Sequence, residues 1–255
     1  MTNLFDLHGK KAVVTGASRG LGQAIALALA AAGADLVLTA RSVESLGETS
    51  ERIATLGRKV HALAMDVTAV STIEPTFQKA AGLLDGLDIL INNAGQEDVR
   101  PSLDVDEALW DRILDTNLKG AFFCAQAAAR QMKIHQSGGA IVNLCSLTSY
   151  VGIPTAIPYG ASKTGLLGLT RGLATEWAPF GVRVNAVAPG YFRTQMTEAF
   201  YADETWQKTM LDKIPQRRFG TMQDIGGAVV FLASGAAAYI TGQCIAIDGG
   251  YLASI

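Results

Sequence analysis

Tyr159 and Lys163 stand four residues apart, and Ser146 precedes the tyrosine by thirteen residues. On a helix, positions i and i+4 share a face. A phenol with its ordinary pKa near 10 is a poor acid–base group at neutral pH. A neighbouring ammonium favours the phenolate and lowers that value. A serine hydroxyl at the same edge can orient the oxygen that the tyrosine protonates. Together these residues supply the proton side of a carbonyl reduction, whose other side is hydride delivery to carbon. The plainer alternatives are a buried aromatic at a helix start and a solvated lysine.

A second cluster lies near the start of the chain, Thr15-Gly16-Ala17-Ser18-Arg19-Gly20-Leu21-Gly22. Glycines let such a turn adopt unusual φ values and let a pyrophosphate approach the backbone. A helix that follows offers free N–H groups and the positive end of its dipole. The spacing Gly-x-x-x-Gly-x-Gly differs from the Gly-x-Gly-x-x-Gly fingerprint. The next strand ends Leu38-Thr39-Ala40-Arg41, with no acid to hold a ribose 2′-OH. Arg41, with Arg19 opposite, suits a 2′-phosphate. The expected cofactor is NADP(H), with NAD(H) possible.

The elements that must position these residues follow from apolar runs and their stop signals. Strands are expected at Lys11–Thr15, Asp35–Ala40, Lys59–Met65, Leu87–Ile91, Gly139–Cys145, Val182–Ala188 and Gln243–Ile247. Helices are expected at Leu21–Ala32, Val43–Leu56, Ser71–Leu84, Ile157–Ala178 and Met222–Ala233, with a long stretch within Asp106–Ile134 broken near Gly120. Residues 191–221 read as irregular with helical patches. Near-continuous apolar strands alternating with helices imply a parallel sheet covered on both faces. The expected fold is one Rossmann-like, doubly wound α/β domain over residues 1–255. Its seven-stranded sheet is mostly parallel and has its ligand crevice at the strand C-termini.

Composition excludes other classes. The 255 residues are 49% hydrophobic and 17% charged, with net charge −2. Mean hydropathy is +0.24 and the pI is about 5.9. This is too apolar for a disordered chain, yet no uninterrupted run reaches the roughly 20 residues of a membrane span. No basic footprint for nucleic acid appears. The first residues do not read as a signal peptide. Cys124, Cys145 and Cys244 lack metal-ligand spacing, and His8, His61 and His135 are scattered. No metal site is expected, and a reducing cytoplasm fits.

Further landmarks are Asn92-Asn93-Ala94-Gly95, Asn117, Asp66-Val67, Pro189-Gly190 with Thr194, and Asp248-Gly249-Gly250. With the glycine turn, Ser146 and Tyr159-Gly-Ala-Ser-Lys163, they make the whole chain resemble the short-chain dehydrogenase/reductase family. The resemblance implies a catalytic set of Asn117, Ser146, Tyr159 and Lys163, with Asn117 supporting a proton relay through water. It implies cofactor contacts from Gly16, Ser18, Arg19, Gly20, Leu21, Gly22 and Arg41. It adds Asp66 and Val67 at the adenine, then Asn93, Ala94, Gly95, Pro189, Gly190 and Thr194. Tyr159 belongs to this set as well, and Lys163 holds the nicotinamide ribose. It also implies a homodimer or homotetramer. One interface would use helix Ile157–Ala178, with Gly165, Gly168 and Gly172, and the Asp106–Ile134 region. The other would use helix Met222–Ala233 and the last strand.

The segment 191–220 is expected to form a substrate lid, since long loops in compact domains are commonly functional. It resembles the family's sugar-acid branch, such as gluconate 5-dehydrogenases. Expected substrate contacts are Ser146, Thr148, Tyr159, Gln96, Tyr191 and Arg193, with Arg193 or Arg100 for a carboxylate. Gln96-Glu97-Asp98 departs from that branch, which tends to carry basic residues there. Acids repel a carboxylate but accept hydroxyl hydrogen bonds, so a neutral sugar or polyol also fits. The alternatives are a 3-oxoacyl carrier-protein reductase, a broad carbonyl reductase and a non-catalytic NADP-binding regulator.

Overall fold

The computed structural model describes residues 3–136, 138–194 and 198–255, with the backbone alone at 199 and 200. Seven strands form one sheet: β1 (Lys11–Thr15), β2 (Asp35–Ala40), β3 (Val60–Ala64), β4 (Ile89–Asn92), β5 (Gly139–Leu144), β6 (Val182–Pro189) and β7 (Cys244–Ile247). Their order is β3-β2-β1-β4-β5-β6-β7. Every pairing is parallel, with Val13 opposite Val37 on one side and Leu90 on the other. The order reverses between β1 and β4, which opens a crevice at their carboxyl ends.

Side chains alternate along each strand, so the sheet has two cores. Ala12 and Val14 face one of them, with Leu36, Leu38 and Val142. That face is covered by helices α1 (Gly20–Ala31) and α2 (Gly47–Thr55), and by the helix Met222–Ala233. Val13 faces the other core, with Val37, Leu90 and Ile141. Its cover comes from α3 (Val70–Leu84) and from two later helices that carry Cys124 and Trp177. Phe77 of α3 is fully buried there. Burying a side chain of this size contributes about 1.5–3 kcal/mol.

The expected break near Gly120 is corrected by the structure. Helix α4 (Glu107–Leu114) passes through a π-turn, Asp115–Gly120, directly into α5 (Ala121–Ile134). Gly120 is there for packing: a Cβ would stand 2.7 Å from the Val67 carbonyl oxygen. The expected helix Val43–Leu56 opens as a 3-10 turn, Glu44–Leu46, before α2 begins. Helix α6 (Ile157–Trp177) starts with Pro158 in its first turn, where a missing N–H costs nothing. The segment beyond β6 carries α7 (Glu198–Tyr201) and α8 (Glu204–Lys213), followed by α9 (Met222–Ala233). No helix among the described residues is long and apolar enough to cross a membrane.

Candidate active site

One cavity of about 890 Å³ runs along the carboxyl ends of the strands. That lies near the top of the range for ligand sites, about 300–1,000 Å³. Gly16, Ser18, Arg19, Gly20, Leu21 and Gly22 line it between β1 and α1. Gly16 and Gly20 adopt φ of +63° and +58°. A Cβ on Gly16 would lie 2.9 Å from the Cα of Ala94, and one on Gly22 would strike the Gly16 carbonyl. No side chain caps α1, and its first turn holds no acid. Its N-terminal N–H groups are therefore offered to an anion.

The turn is clasped to the loop after β4. The Asn93 side-chain amide donates to the carbonyls of Thr15 and Gly16, at 2.9 Å each. The Thr15 hydroxyl accepts from the backbone N–H groups of Asn93 (3.1 Å) and Ala94 (3.0 Å). Gly95 follows on the same cavity wall. At the far end Arg41 joins Arg19, Ser42, Asp66 and Val67 in the lining. Among the described residues neither Arg19 nor Arg41 makes an ion pair. Asp66 accepts from the Thr68 N–H (2.9 Å) and hydroxyl (2.8 Å), which fixes its carboxylate. Pro189, Gly190 and Thr194 line the opposite side. Two arginines without carboxylate partners, beside an uncapped helix start, fit a dinucleotide carrying an extra phosphate.

Ser146, Tyr159 and Lys163 meet in the middle of the cavity. Ser146 stands two residues past β5 and caps the 3-10 turn Leu147–Ser149, accepting from the Thr148 N–H at 3.2 Å. Its hydroxyl lies near enough to the Tyr159 phenol to favour the phenolate. Burial is the main influence on that phenol and pushes its pKa above the ordinary tyrosine range. The charge of Glu97 pushes the same way, and the Ser146 hydroxyl pulls it down. Lys163 is buried, and its Nζ donates to the Leu144 carbonyl at 2.7 Å. Burial lowers its pKa to about 8, opposed by the neighbouring Cys145 and by the charge of Glu97.

Lys163 Nζ stands over the Tyr159 ring, as the i, i+4 spacing on one helix implies. The ammonium lies 5.5 Å from the centre of the tyrosine ring, tied to the end of β5. Asn117 sits within the π-turn and is buried behind the wall, not in the lining. Its amide accepts from Gln96 N–H (2.8 Å) and donates to the Gln96 carbonyl (2.9 Å) and Ser162 hydroxyl (3.1 Å).

Thr148, Gln96 and Tyr191 line the cavity as expected, but Arg193 and Arg100 do not. Arg193 pairs with Glu198, its Nε at 3.0 Å, and stays exposed. Arg100 lies 3.5 Å from Asp98. Sequence reading passed over Arg112, Tyr201 and Trp206, all of which line the cavity. Tyr201 packs edge-on against Trp206 and Phe219, with centroids 5.2 and 4.8 Å away. The aromatic density of that segment was the available signal. Residues 195–197 of the expected lid lie outside the described residues.

A phosphate cradle and an acid–base group sharing one crevice equip an α/β oxidoreductase to exchange hydride with a carbon. A family model described as Enoyl-(Acyl carrier protein) reductase matches residues 16–252. The chain belongs to the short-chain dehydrogenase/reductase family. It is 42% identical over 249 residues to 2-dehydro-3-deoxy-D-gluconate 5-dehydrogenase of Escherichia coli K12, covering 98% of each chain. It superposes with TM-score 0.97 on a provisionally named short-chain alcohol dehydrogenase from Sinorhizobium meliloti 1021. Those two share 68% identity over 99% of this chain and 100% of that one. A gluconate 5-dehydrogenase from Burkholderia cenocepacia J2315, in complex with NADP and tartrate, gives TM-score 0.95 at 33% identity. That match covers 99% of this chain and 98% of the other.

Proposed function

We propose that the protein is an NADP(H)-dependent oxidoreductase that interconverts a secondary alcohol and a ketone of a sugar or sugar acid. The observation that carries this reading is one cavity with Arg19 and Arg41 at one end and Ser146, Tyr159 and Lys163 farther along. NADP(H), when bound, supplies the hydride chemistry. Arg41 and Arg19 hold its 2′-phosphate, and the N-terminus of α1 meets its pyrophosphate. Asp66 and Val67 flank the adenine, while Asn93, Ala94, Gly95, Pro189, Gly190 and Thr194 shape the path toward the nicotinamide.

In the reduction direction Tyr159 gives its phenolic proton to the substrate oxygen. Its raised pKa suits it to hold that proton until the oxygen becomes basic. Ser146 holds the same oxygen by a hydrogen bond. Lys163, charged at neutral pH, binds the nicotinamide ribose and stabilises the phenolate left behind. Asn117 fixes the Gln96 loop and Ser162, and it supports the return of a proton from water. Thr148, Gln96 and Tyr191 meet the substrate under a lid formed by 191–220.

The chain acts as one domain, and we propose that it assembles as a homodimer or homotetramer. Gly168 and Gly172 leave an exposed stripe on α6 where an added Cβ would meet nothing within 4 Å, which suits a second helix. Native mass measurement tests this. The free cysteines Cys124, Cys145 and Cys244 suit the reducing cytoplasm. For the reaction, the test is NADPH oxidation and NADP reduction across ketoses, alditols, sugar acids and β-ketoesters. Turnover of sugars or sugar acids is expected, and Tyr159→Phe should lose at least about a hundredfold in kcat while still binding NADPH. Exclusive turnover of β-ketoesters, or a fully active Tyr159→Phe, overturns the reading.

A further inference from the structure

Glu97 stands out among the charged groups of the cavity. It lies on the loop after β4 and lines the cavity together with Ser146, Tyr159 and Lys163. Among the described residues it has no hydrogen bond and no ion pair. Its neighbour Asp98 has both available guanidinium groups, Arg112 at 2.8 Å and Arg100 at 3.5 Å. Arg193 is occupied by Glu198. Among the described residues, the reaction end of the cavity therefore has one unpaired carboxylate, and its only cation without a carboxylate partner is Lys163, anchored to Leu144.

Two further groups in the lining lack partners among the described residues. The Thr148 and Tyr201 hydroxyls are buried with no hydrogen bond to a described residue, in residues only 7% and 6% exposed. Buried polar atoms are seldom left unsatisfied. Together with Glu97 they set out hydroxyl donors, hydroxyl acceptors and one pure acceptor in the same lining. Val99, Ile153 and Trp206 add apolar wall between them. A polyhydroxylated ligand can satisfy all three polar groups. A ligand carboxylate in this cavity would face Glu97, while the guanidinium groups of Arg112 and Arg100 are already paired with Asp98.

We propose that Glu97 determines substrate choice, accepting a hydrogen bond from a hydroxyl of an uncharged polyhydroxylated alcohol or ketone and repelling the corresponding sugar acid. This rests on the oxidoreductase reading above and narrows its substrate class. Burial raises the Glu97 pKa while the charge of Lys163 opposes that rise, which places the carboxylate in the field of the reacting groups. Two like charges about 6 Å apart at an effective dielectric near 20 repel enough to change kcat/KM roughly a hundredfold.

The test uses the full-length protein with NADP and matched pairs of four- to six-carbon alditols and aldonates. Wild-type protein should favour the alditol of each pair by at least about tenfold in kcat/KM. Glu97→Gln keeps the shape and removes the charge. It should shrink that preference about ten- to a hundredfold, chiefly by raising kcat/KM for the aldonate. An aldonate preference in the wild type, or an unchanged ratio in Glu97→Gln, overturns the role of Glu97 and leaves the sugar oxidoreductase reading standing. Absence of turnover with every alditol, aldonate and ketose overturns both.

Discussion

Replacing Lys163 by methionine should make the protein more stable and inactive. The pKa of Lys163 falls from 10.5 to about 8 because burial disfavours its charged form. At about 1.4 kcal/mol for each factor of ten, holding the ammonium in the fold at neutral pH costs about 3 kcal/mol. Methionine removes that cost with similar length. It also leaves the Leu144 carbonyl without its 2.7 Å partner, which costs about 1–2 kcal/mol. The net gain is about 1–2 kcal/mol, or a rise in Tm of roughly 2–8 °C for a chain of this size. The pH dependence carries the sharper check. Between about 8 and 10.5 the unfolded chain keeps a proton that the folded wild type releases, so wild-type stability rises with pH across that window. The advantage of Lys163→Met should be constant below about pH 8, shrink above it and reverse by about pH 10.5, where the wild type no longer holds the charge but still bonds Leu144. Urea unfolding at a series of pH values measures both curves. A variant less stable at neutral pH, or an advantage that does not shrink with pH, refutes the reasoning.

Other consequences follow from the cofactor end and the core. The pair Ala40→Asp with Arg41→Val exchanges a phosphate partner for a hydroxyl acceptor, so the NADPH-to-NADH affinity ratio should fall about ten- to a hundredfold. Fluorescence titration with both cofactors reads it, and an unchanged ratio removes Arg41 from the 2′-phosphate. Gly16→Ala places a methyl 2.9 Å from Ala94 Cα at a φ of +63°. NADPH affinity should drop at least about tenfold and Tm should fall, because a Cβ disfavours this conformation; wild-type affinity would show that the turn yields freely. Phe77→Ala empties a fully buried site and should cost about 3–5 kcal/mol, near 10 °C in Tm. Its KM should change little, since Phe77 itself does not line the cavity.

The strands were legible because parallel strands covered on both faces read as short apolar runs, and β1 and β2 begin and end where those runs do. Of the proposed site, the sequence singled out the glycine turn, Arg41, Ser146, Tyr159 and Lys163, which the structure brings to one cavity. The π-turn was not, because one extra residue in a helical turn leaves apolar periodicity almost unaltered, and Gly120 read as a breaker when it is a packing residue against Val67. The orientation of Lys163 was hidden too, since it depends on a main-chain carbonyl at the end of β5 and not on sequence spacing. Arg193 looked available for a carboxylate only while the partner five residues on, Glu198, was out of view.

The clasp between Thr15 and Asn93 joins residues 78 positions apart. During synthesis, β1, the glycine turn and α1 leave the ribosome long before that partner. Closing so long a loop costs entropy before its contacts reward it. The early segment can form its strand and helix locally, yet the phosphate turn gains its final brace only when β4 inserts beside β1. A nascent chain stalled before Asn93 thus carries the turn without the brace that Asn93 gives it.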